Sequence, residues 1–374
     1  MNILVFSWRG PKHPLAGGAE QVDHEHHKGW IKAGHKVVLF TSNFKKGKEK
    51  EIIDGVKIIR RGNQILGVHL SAFLWYFLKK HPKFDLVVDE FHGIPFFTPL
   101  YIKEKKMVVL QEVAGKVWLK NELIWPLNLI IGFLGYLFEP LIYKLYKKVP
   151  FMVGSNSAKI ALEKIGIQKK DITVVQHGVI TKKQTKKIIK EKIKTIIFLG
   201  TLAKDKGIED ALKVFSILKS KREFQFWVVG KSDTFYLKKL KKMSKNLKIS
   251  KQIKFWGYVS SEKKFELLSK AHLLLNPSIL EGWGLVNIEA NAMKIPVVAY
   301  NSPGLVDSVQ NGFNGLICKN NSPENMAQNI EKIFASHKLY LKLKKNSLIW
   351  SKNFSWDKSR KLSLNLINEI TNNA

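Results

Sequence analysis

Two glutamates bracket a glycine-containing loop in the second half of this 374-residue chain: Glu281-Gly282-Trp283-Gly284-Leu285-Val286-Asn287-Ile288-Glu289. An apolar run ends at Asn276 just before them, and a helical pattern begins near Leu285. Glycines at such a junction let backbone N–H groups approach an anion at the positive end of a helix. Carboxylates on either side accept from hydroxyl groups. A phosphate on the amides, with sugar hydroxyls on the carboxylates, is the arrangement a nucleotide-sugar requires. The plainer alternative is a glycine turn with two solvated glutamates. His24 and His27, near His13 and His26, are three apart and can share a helix face. A His-Glu-x-x-His spacing is absent, as is any Asp-x-Asp, so no metal site is expected. His92, in Asp89-Glu90-Phe91-His92-Gly93-Ile94-Pro95, lies past a strand end, where α/β sites form. It faces either an acceptor or only its own loop.

The elements that must position these groups form two series. Ile3–Ser7, Lys36–Thr41, Val56–Arg60, Leu86–Asp89, Met107–Leu110 and Phe151–Gly154 read as buried strands, with helical patterns such as Glu20–Ala33 and Ser71–Lys80 between them. The second series has strands at Thr195–Leu199, Phe224–Val229, Ile253–Phe255, Leu273–Asn276, Pro296–Tyr300 and Leu316–Cys318. Its helices are Gly207–Lys219, Tyr236–Asn246, Glu262–Lys270, Val286–Met293 and Glu324–Ser336. Doubly apolar strands alternating with helices predict parallel sheets covered on both faces. The Lys-rich stretch 180–194 reads as the connection between two domains.

The Glu281–Glu289 segment resembles the Glu-x7-Glu motif of retaining glycosyltransferases of the GT-B fold, family 4. Other segments agree in order: Gly17-Gly18-Ala19-Glu20, the run Phe198 to Gly207, Val228-Val229-Gly230, Gly257-Tyr258-Val259, Gly304, Asn311 to Gly315, and Phe354-Ser355-Trp356. The resemblance implies an α/β GT-B fold of two Rossmann-like domains with an interdomain cleft. An acceptor-binding domain would span 1–185 and a nucleotide-sugar domain 186–353, with a closing helix at 354–374 crossing back to the first domain. It further implies that Glu281 contacts the transferred sugar and Glu289 the ribose hydroxyls. Lys206 would neutralise the diphosphate leaving group, where a positioned cation helps most as charge grows. The amides of Gly284, Leu285 and Val286 would hold phosphates, with Gly200, Thr201 and Gly230 beside them, and Tyr258 would present backbone to the base. Gly17 and Gly18 would let the first loop close over donor and acceptor. Thr201 stands where the family has Arg, and Gln111 where it often has a His facing the sugar. The implied reaction needs no cofactor beyond a nucleoside-diphosphate sugar and no metal.

Composition bounds the remaining choices. Lys and Arg total 63 against 30 acids, a net charge of +33, yet only five of the 63 are Arg. Base reading and bidentate phosphate clamping favour Arg, so nucleic acid is not the expected partner. A Lys coat fits solvation or an anionic membrane surface. The single cysteine, Cys318, excludes a disulfide framework and fits a reducing compartment. The segment Leu123–Tyr146 is apolar but interrupted by Pro126, Asn128, Glu139, Pro140 and Lys144. It reads as an interfacial or packed helix rather than a spanning one. The expected protein is a cytoplasmic enzyme, peripheral on the inner face of the cell membrane, acting on a glycan or lipid-linked acceptor. The competing readings are a catalytically weakened scaffold of the same fold and a basic nucleic-acid- or membrane-binding protein.

Overall fold

A computed structural model describes residues 1–65, 67–120, 125–179, 189–219 and 223–372. The chain forms two compact units, Met1–Gly178 with Trp356–Ala374, and Val179–Ser355. The boundary expected at 185/186 and most of the Lys-rich connection fall within 180–188, outside the described residues.

In chain order the elements are β1 (Asn2–Phe6), α1 (Gly18–Lys32), β2 (Lys36–Thr41), β3 (Lys50–Ile53), β4 (Val56–Arg60), α2 (Gly67–Leu78), β5 (Leu86–Phe91), β6 (Lys105–Leu110), α3 (Leu127–Leu145), β7 (Phe151–Val153), α4 (Asn156–Ile165) and β8 (Ile172–Val174). There follow β9 (Lys194–Leu199), α5 (Ile208–Lys219), β10 (Phe224–Val229), α6 (Thr234–Asn246), β11 (Ile253–Gly257), α7 (Ser261–Lys270), β12 (Leu273–Asn276), α8 (Leu285–Ala292), β13 (Val297–Ala299), α9 (Leu305–Ser308), β14 (Gly315–Ile317), α10 (Pro323–Ala335), α11 (His337–Ser351) and α12 (Trp356–Asn372). Short 3-10 turns lie at Thr98–Leu100, Gly115–Lys120 and Lys169–Asp171.

The first unit carries an eight-stranded sheet in the order β3-β4-β2-β1-β5-β6-β7-β8. All pairs are parallel except β3–β4, a hairpin closed by Asp54-Gly55, both at positive φ. Asp-Gly between apolar residues is the signal for that turn, and β3 is absent from the sequence-based strands because Lys50 and Glu51 mask it. The register assigns the two faces. Leu4, Val87 and Lys106 lie abreast, as do Phe6, Asp89 and Val108, so these share one face. Val5, Val88 and Met107 share the other. On that other face Trp30 of α1 and Leu366 and Ile367 of α12 complete the core. α12 is fastened by a hydrogen bond from Trp30 Nε1 to Ser363 Oγ (2.7 Å) and an ion pair between Arg360 and Glu25 (3.2 Å). The first face is covered by Val68 and Ala72 of α2 and by Tyr143 and Tyr146 of the α3 end.

The second unit carries a parallel six-stranded sheet in the order β11-β10-β9-β12-β13-β14. Its helices start on side-chain caps: Asp233 accepts from Tyr236 N before α6, Ser260 from Lys263 N before α7, and Ser322 from Asn325 N before α10, where Pro323 follows. Helices α4 and α11, not read from the sequence, start in the same way on Ser155 and Ser336.

At the start of β12, His272 is only 5% exposed and its Nδ1 accepts the Thr195 N–H at 3.1 Å. Burial, with Lys194, Lys190 and Lys344 nearby, pushes this imidazole down to about 4. The folded state therefore holds it neutral, whereas the unfolded chain takes up the proton below about pH 6.5. Stability should fall as pH drops from 6.5 towards 4, by up to about 3 kcal/mol from this group. Thermal melts of wild type and His272→Asn across that range test this. The variant should lose part of the acid slope, and parallel curves would refute the assignment.

Candidate functional site

In the second unit the loops after β9, β10, β11 and β12 converge at the C-terminal edge of the sheet, the edge where open α/β sheets bind ligands. Backbone hydrogen bonds stitch them: Gly200 N to Val229 O (3.0 Å), Leu202 N to Lys231 O (2.7 Å), and Gly230 N to Gly257 O (2.9 Å). The approach is too close for side chains. A Cβ on Gly230 would lie 1.6 Å from Gly200 O, and one on Gly207 2.1 Å from Pro277 O. A Cβ on Gly304 would lie 2.0 Å from Glu281 O.

This framework brings Lys206 and Glu281 together. Lys206 Nζ lies 3.1 Å from Glu281 Oε1 and 3.6 Å from Asp205 Oδ2. The main chain fixes both loops, since Ile279 N donates to Asp205 O (2.9 Å) and Glu281 N to Pro303 O (3.2 Å). Both charged groups remain partly exposed, at 26% and 22%. Gly284 caps α8 at φ 74, and Leu285 and Val286 open the helix, so its positive end faces the same loop cluster. Glu289 lies one turn further on, 5% exposed and paired with Lys264 of α7. Nothing in the Lys-rich sequence of α7 marks Lys264 as that partner. Thr201 and Tyr258 are exposed, and Lys231 Nζ lies 4.7 Å over the Tyr258 ring.

Beneath the loops runs a buried amide network that the sequence reading also misses. Asn276 donates to Asn287 (2.8 Å), Asn287 to Ser308 Oγ (2.9 Å), and Asn314 to Ser308 O (3.1 Å) and to Asn291. It ties β12, α8 and α9 together, which sets the direction of the α8 start.

The first unit gathers a second cluster at the C-terminal ends of β1, β5 and β6. Glu20 accepts from Gly17 N (2.7 Å) and pairs with Arg9 (2.7 Å), while a Cβ on Gly18 would meet nothing within 4 Å. Gln111 is held at both ends of its amide. Its Nε2 donates to Asp23 Oδ1 (3.0 Å) and its Oε1 lies 2.9 Å from His177 Nε2, which must then be the donor. His92 Nε2 meets Asp23 Oδ2 at 3.2 Å, and His27 Nε2 meets Glu90 Oε1 at 2.9 Å. Burial pushes Asp23 and Glu90 up to about 7 and His27 down to about 4. Burial lowers His92 too, but its bond to Asp23 prevails and raises it. The hydrogen bonds and ion pairs thus hold Asp23, Glu90, His92 and Gln111 in one fixed, largely buried arrangement. Among the described residues, Asp23, Glu90 and His92 place ligand atoms within 4.8 Å of one another, and the His24–His27 pair is not part of this grouping.

Residues 179–350 match the family model described as glycosyl transferases group 1. An uncharacterized glycosyltransferase of Methanocaldococcus jannaschii is 29% identical over 74% of this chain and 71% of its own length. Three further uncharacterized glycosyltransferases match over less than half of their own length. The matches support a group 1 glycosyltransferase. Among solved structures, sucrose-phosphate synthase from Thermosynechococcus elongatus superposes with TM-score 0.82 at 17% identity, covering 100% of both chains. Anabaena HepE, solved with UDP and glucose, gives 0.73 at 16%, covering 99% of this chain and 100% of its own. WaaG, a glycosyltransferase involved in lipopolysaccharide biosynthesis, gives 0.74 at 16%, covering 96% and 98%. These likenesses show the GT-B fold, two α/β domains with parallel sheets.

The loop framework yields a prediction. Gly230→Ala forces a Cβ into Gly200 O and should cost at least about 2 kcal/mol, read from the denaturant midpoint of unfolding. Gly18→Ala, in open space at a helix start, should cost nothing. Equal stability of the two variants would remove the close-approach argument.

Proposed function

We propose that this chain is a family 4, retaining hexosyltransferase that moves a sugar from a nucleoside diphosphate to a hydroxyl of a glycan or lipid-linked acceptor. The observation that carries this reading is Lys206 Nζ 3.1 Å from Glu281, at the C-terminal edge of a sheet whose loops are held by glycine close approaches. Lys206 and the α8 start supply positive potential for a diphosphate, and that potential matters most as the anomeric C–O bond breaks. Glu281 meets the reacting sugar. Glu289 accepts from ribose hydroxyls and shares its charge with Lys264. Gly200, Thr201 and Gly230 border the phosphates, and Tyr258 lies by the base. The complexes of HepE with UDP and with UDP-glucose support a nucleotide-sugar donor. In the first unit, Gly17 and Gly18 give the loop after β1 room to move, and His92 and Gln111, both bound to Asp23, orient the acceptor hydroxyl. Retention fits departure and attack on the same face, with the leaving phosphate assisting the acceptor's deprotonation.

The lysine and the helix end carry the diphosphate without a metal, so transfer should survive EDTA; loss of activity would direct attention to Asp23, Glu90 and His92. A cytoplasmic setting fits a chain whose one cysteine is buried and unpaired, and the role of WaaG supports a place in surface-glycan assembly.

Steady-state kinetics test the assignments. Lys206→Ala should lower kcat about 10²- to 10³-fold. Glu281→Ala should abolish turnover more than donor binding, whereas Glu289→Gln should chiefly raise donor KM, by about tenfold. Unchanged transfer in the Glu281 and Lys206 variants, with intact melting curves, would overturn the reading. A thermal-shift screen against UDP-, GDP-, ADP- and TDP-sugars identifies the donor by mass action. The anomeric configuration of the product, read by NMR, decides retention.

A further inference from the structure

Helix α3 is built inside out. The stripe it turns to the rest of its unit is Gly132, Gly135, Glu139, Tyr143 and, just past its end, Tyr146. Three of these residues have a structural duty there. Trp118 packs on Gly135, where a Cβ would meet its ring at 2.4 Å, and Glu139 accepts from Ala114 N (2.9 Å) and Gly115 N (2.7 Å). Tyr146 donates to the buried Asp89 at 2.7 Å. The outward residues are the apolar ones: Leu129, Ile130, Phe133, Leu134, Leu137 and Leu141, each 44–59% exposed. A surface helix of a water-soluble domain shows the opposite order.

The neighbouring crossover helix adds to this surface. The strand register puts Val87 and Val108 on one face of the sheet, and α2 and α3 pack on that same face. α2 buries Val68 and Ala72 and turns outward Leu70, Phe73, Leu74, Phe77 and Leu78, at 41–72% exposure. The opposite face of the sheet is closed by α1 and α12. One side of the first unit therefore presents two apolar helices, an area of a kind that soluble monomers rarely leave open.

Charge identifies what covers it. α2 delivers the chain to the start of β5 and α3 to the start of β7, and β5, β6 and β7 are parallel neighbours. The exposed lysines that end or follow the helices or precede β6, namely Lys79, Lys80, Lys83, Lys103, Lys144 in the last turn of α3, Lys147 and Lys148, therefore line one edge of the sheet beside the apolar helices. Across 67–83 and 127–148 the sequence has one acid, Glu139, and it is buried; at the edge itself the seven lysines face two acids, Asp85, which accepts from Asn2 N, and Glu104, which accepts from Tyr76 of α2. A second copy of this chain would bring lysine against lysine. An anionic bilayer meets both features, taking the apolar side chains below its headgroups and the lysines among them. α3 is long and apolar enough to cross a membrane, but it joins two hydrogen-bonded strands, so it lies along the surface instead.

We infer that the outward faces of α2 and α3, with the lysines at the adjoining sheet edge, form a monotopic docking surface for an anionic lipid bilayer. The inference is independent of the donor chemistry, and its test does not use turnover. α3 begins at the sheet edge that carries His92, and the Trp118 ring under it lies 3.7 Å from the Cβ position of Gly93. An acceptor held in the bilayer thus arrives beside the first-unit cluster.

Flotation of the full chain with vesicles of phosphatidylglycerol and phosphatidylcholine, at low and high salt, tests this. Wild type should float with anionic vesicles, less so at high salt, and not with phosphatidylcholine alone. Leu129→Ser/Phe133→Ser/Leu137→Ser should weaken binding at least about a hundredfold, with an unchanged melting temperature because these side chains are exposed. Lys144→Gln, Lys147→Gln and Lys148→Gln should each weaken it about fivefold. Failure of wild type to float, or equal flotation of the serine variant, would overturn the proposal. So would a stable dimer by light scattering that the serine changes dissociate, since a second copy would then own the surface.

Discussion

Main chain meets main chain in the second unit at distances that leave no room for a Cβ. Gly230 against Gly200, Gly207 against Pro277, and Gly304 against Glu281 are three instances of one constraint. Each glycine stands at positive φ and lets one loop lie directly on the next. The consequence is rigidity where charge must be placed. Lys206 and Glu281 sit on loops whose backbones are pinned to each other, so their approach is set by the fold and not by two flexible side chains finding each other in solvent. Such preorganisation is what gives an electrostatic contact its value in a reaction.

The two units position their polar groups by different means. In the second, the glycine framework and the asparagine network fix backbone, and the functional side chains project from it partly exposed. In the first, the polar groups are buried and fix one another: Asp23 is shared between Gln111 and His92, and Glu90 faces His27. Burial shifts the carboxylates up and His27 down, while the bond to Asp23 shifts His92 up, so each group's ionisation depends on its partner's.

The sequence was most informative where physics leaves a local mark. Strands buried on both faces and glycines at strand ends are each written in a few adjacent residues, and the parallel sheets and the 281–289 loop were legible from them; the Ser caps of α4 and α11 were present in the sequence but went unread. Contacts between distant residues were not. Lys264 is one of 58 lysines, and no local feature singles it out to reach Glu289. Asn276, Asn287, Asn291 and Asn314 read as turn and helix residues until the fold draws them into one network. The segment around α3 was legible as apolar, but only the burial of Gly132, Glu139 and Tyr143 shows which way it faces.

Helix α12 belongs to the first unit, yet it is synthesised after the whole of residues 179–355. At 5–20 residues per second the intervening chain takes roughly ten to thirty-five seconds to make. Throughout that interval the nascent first unit lacks Leu366 and Ile367 over its sheet, and the Trp30 indole lacks its Ser363 partner. The order of translation thus runs against the order of assembly: the unit that starts first finishes last, and until it does an apolar sheet face is open to chaperones or to neighbouring chains on the same message.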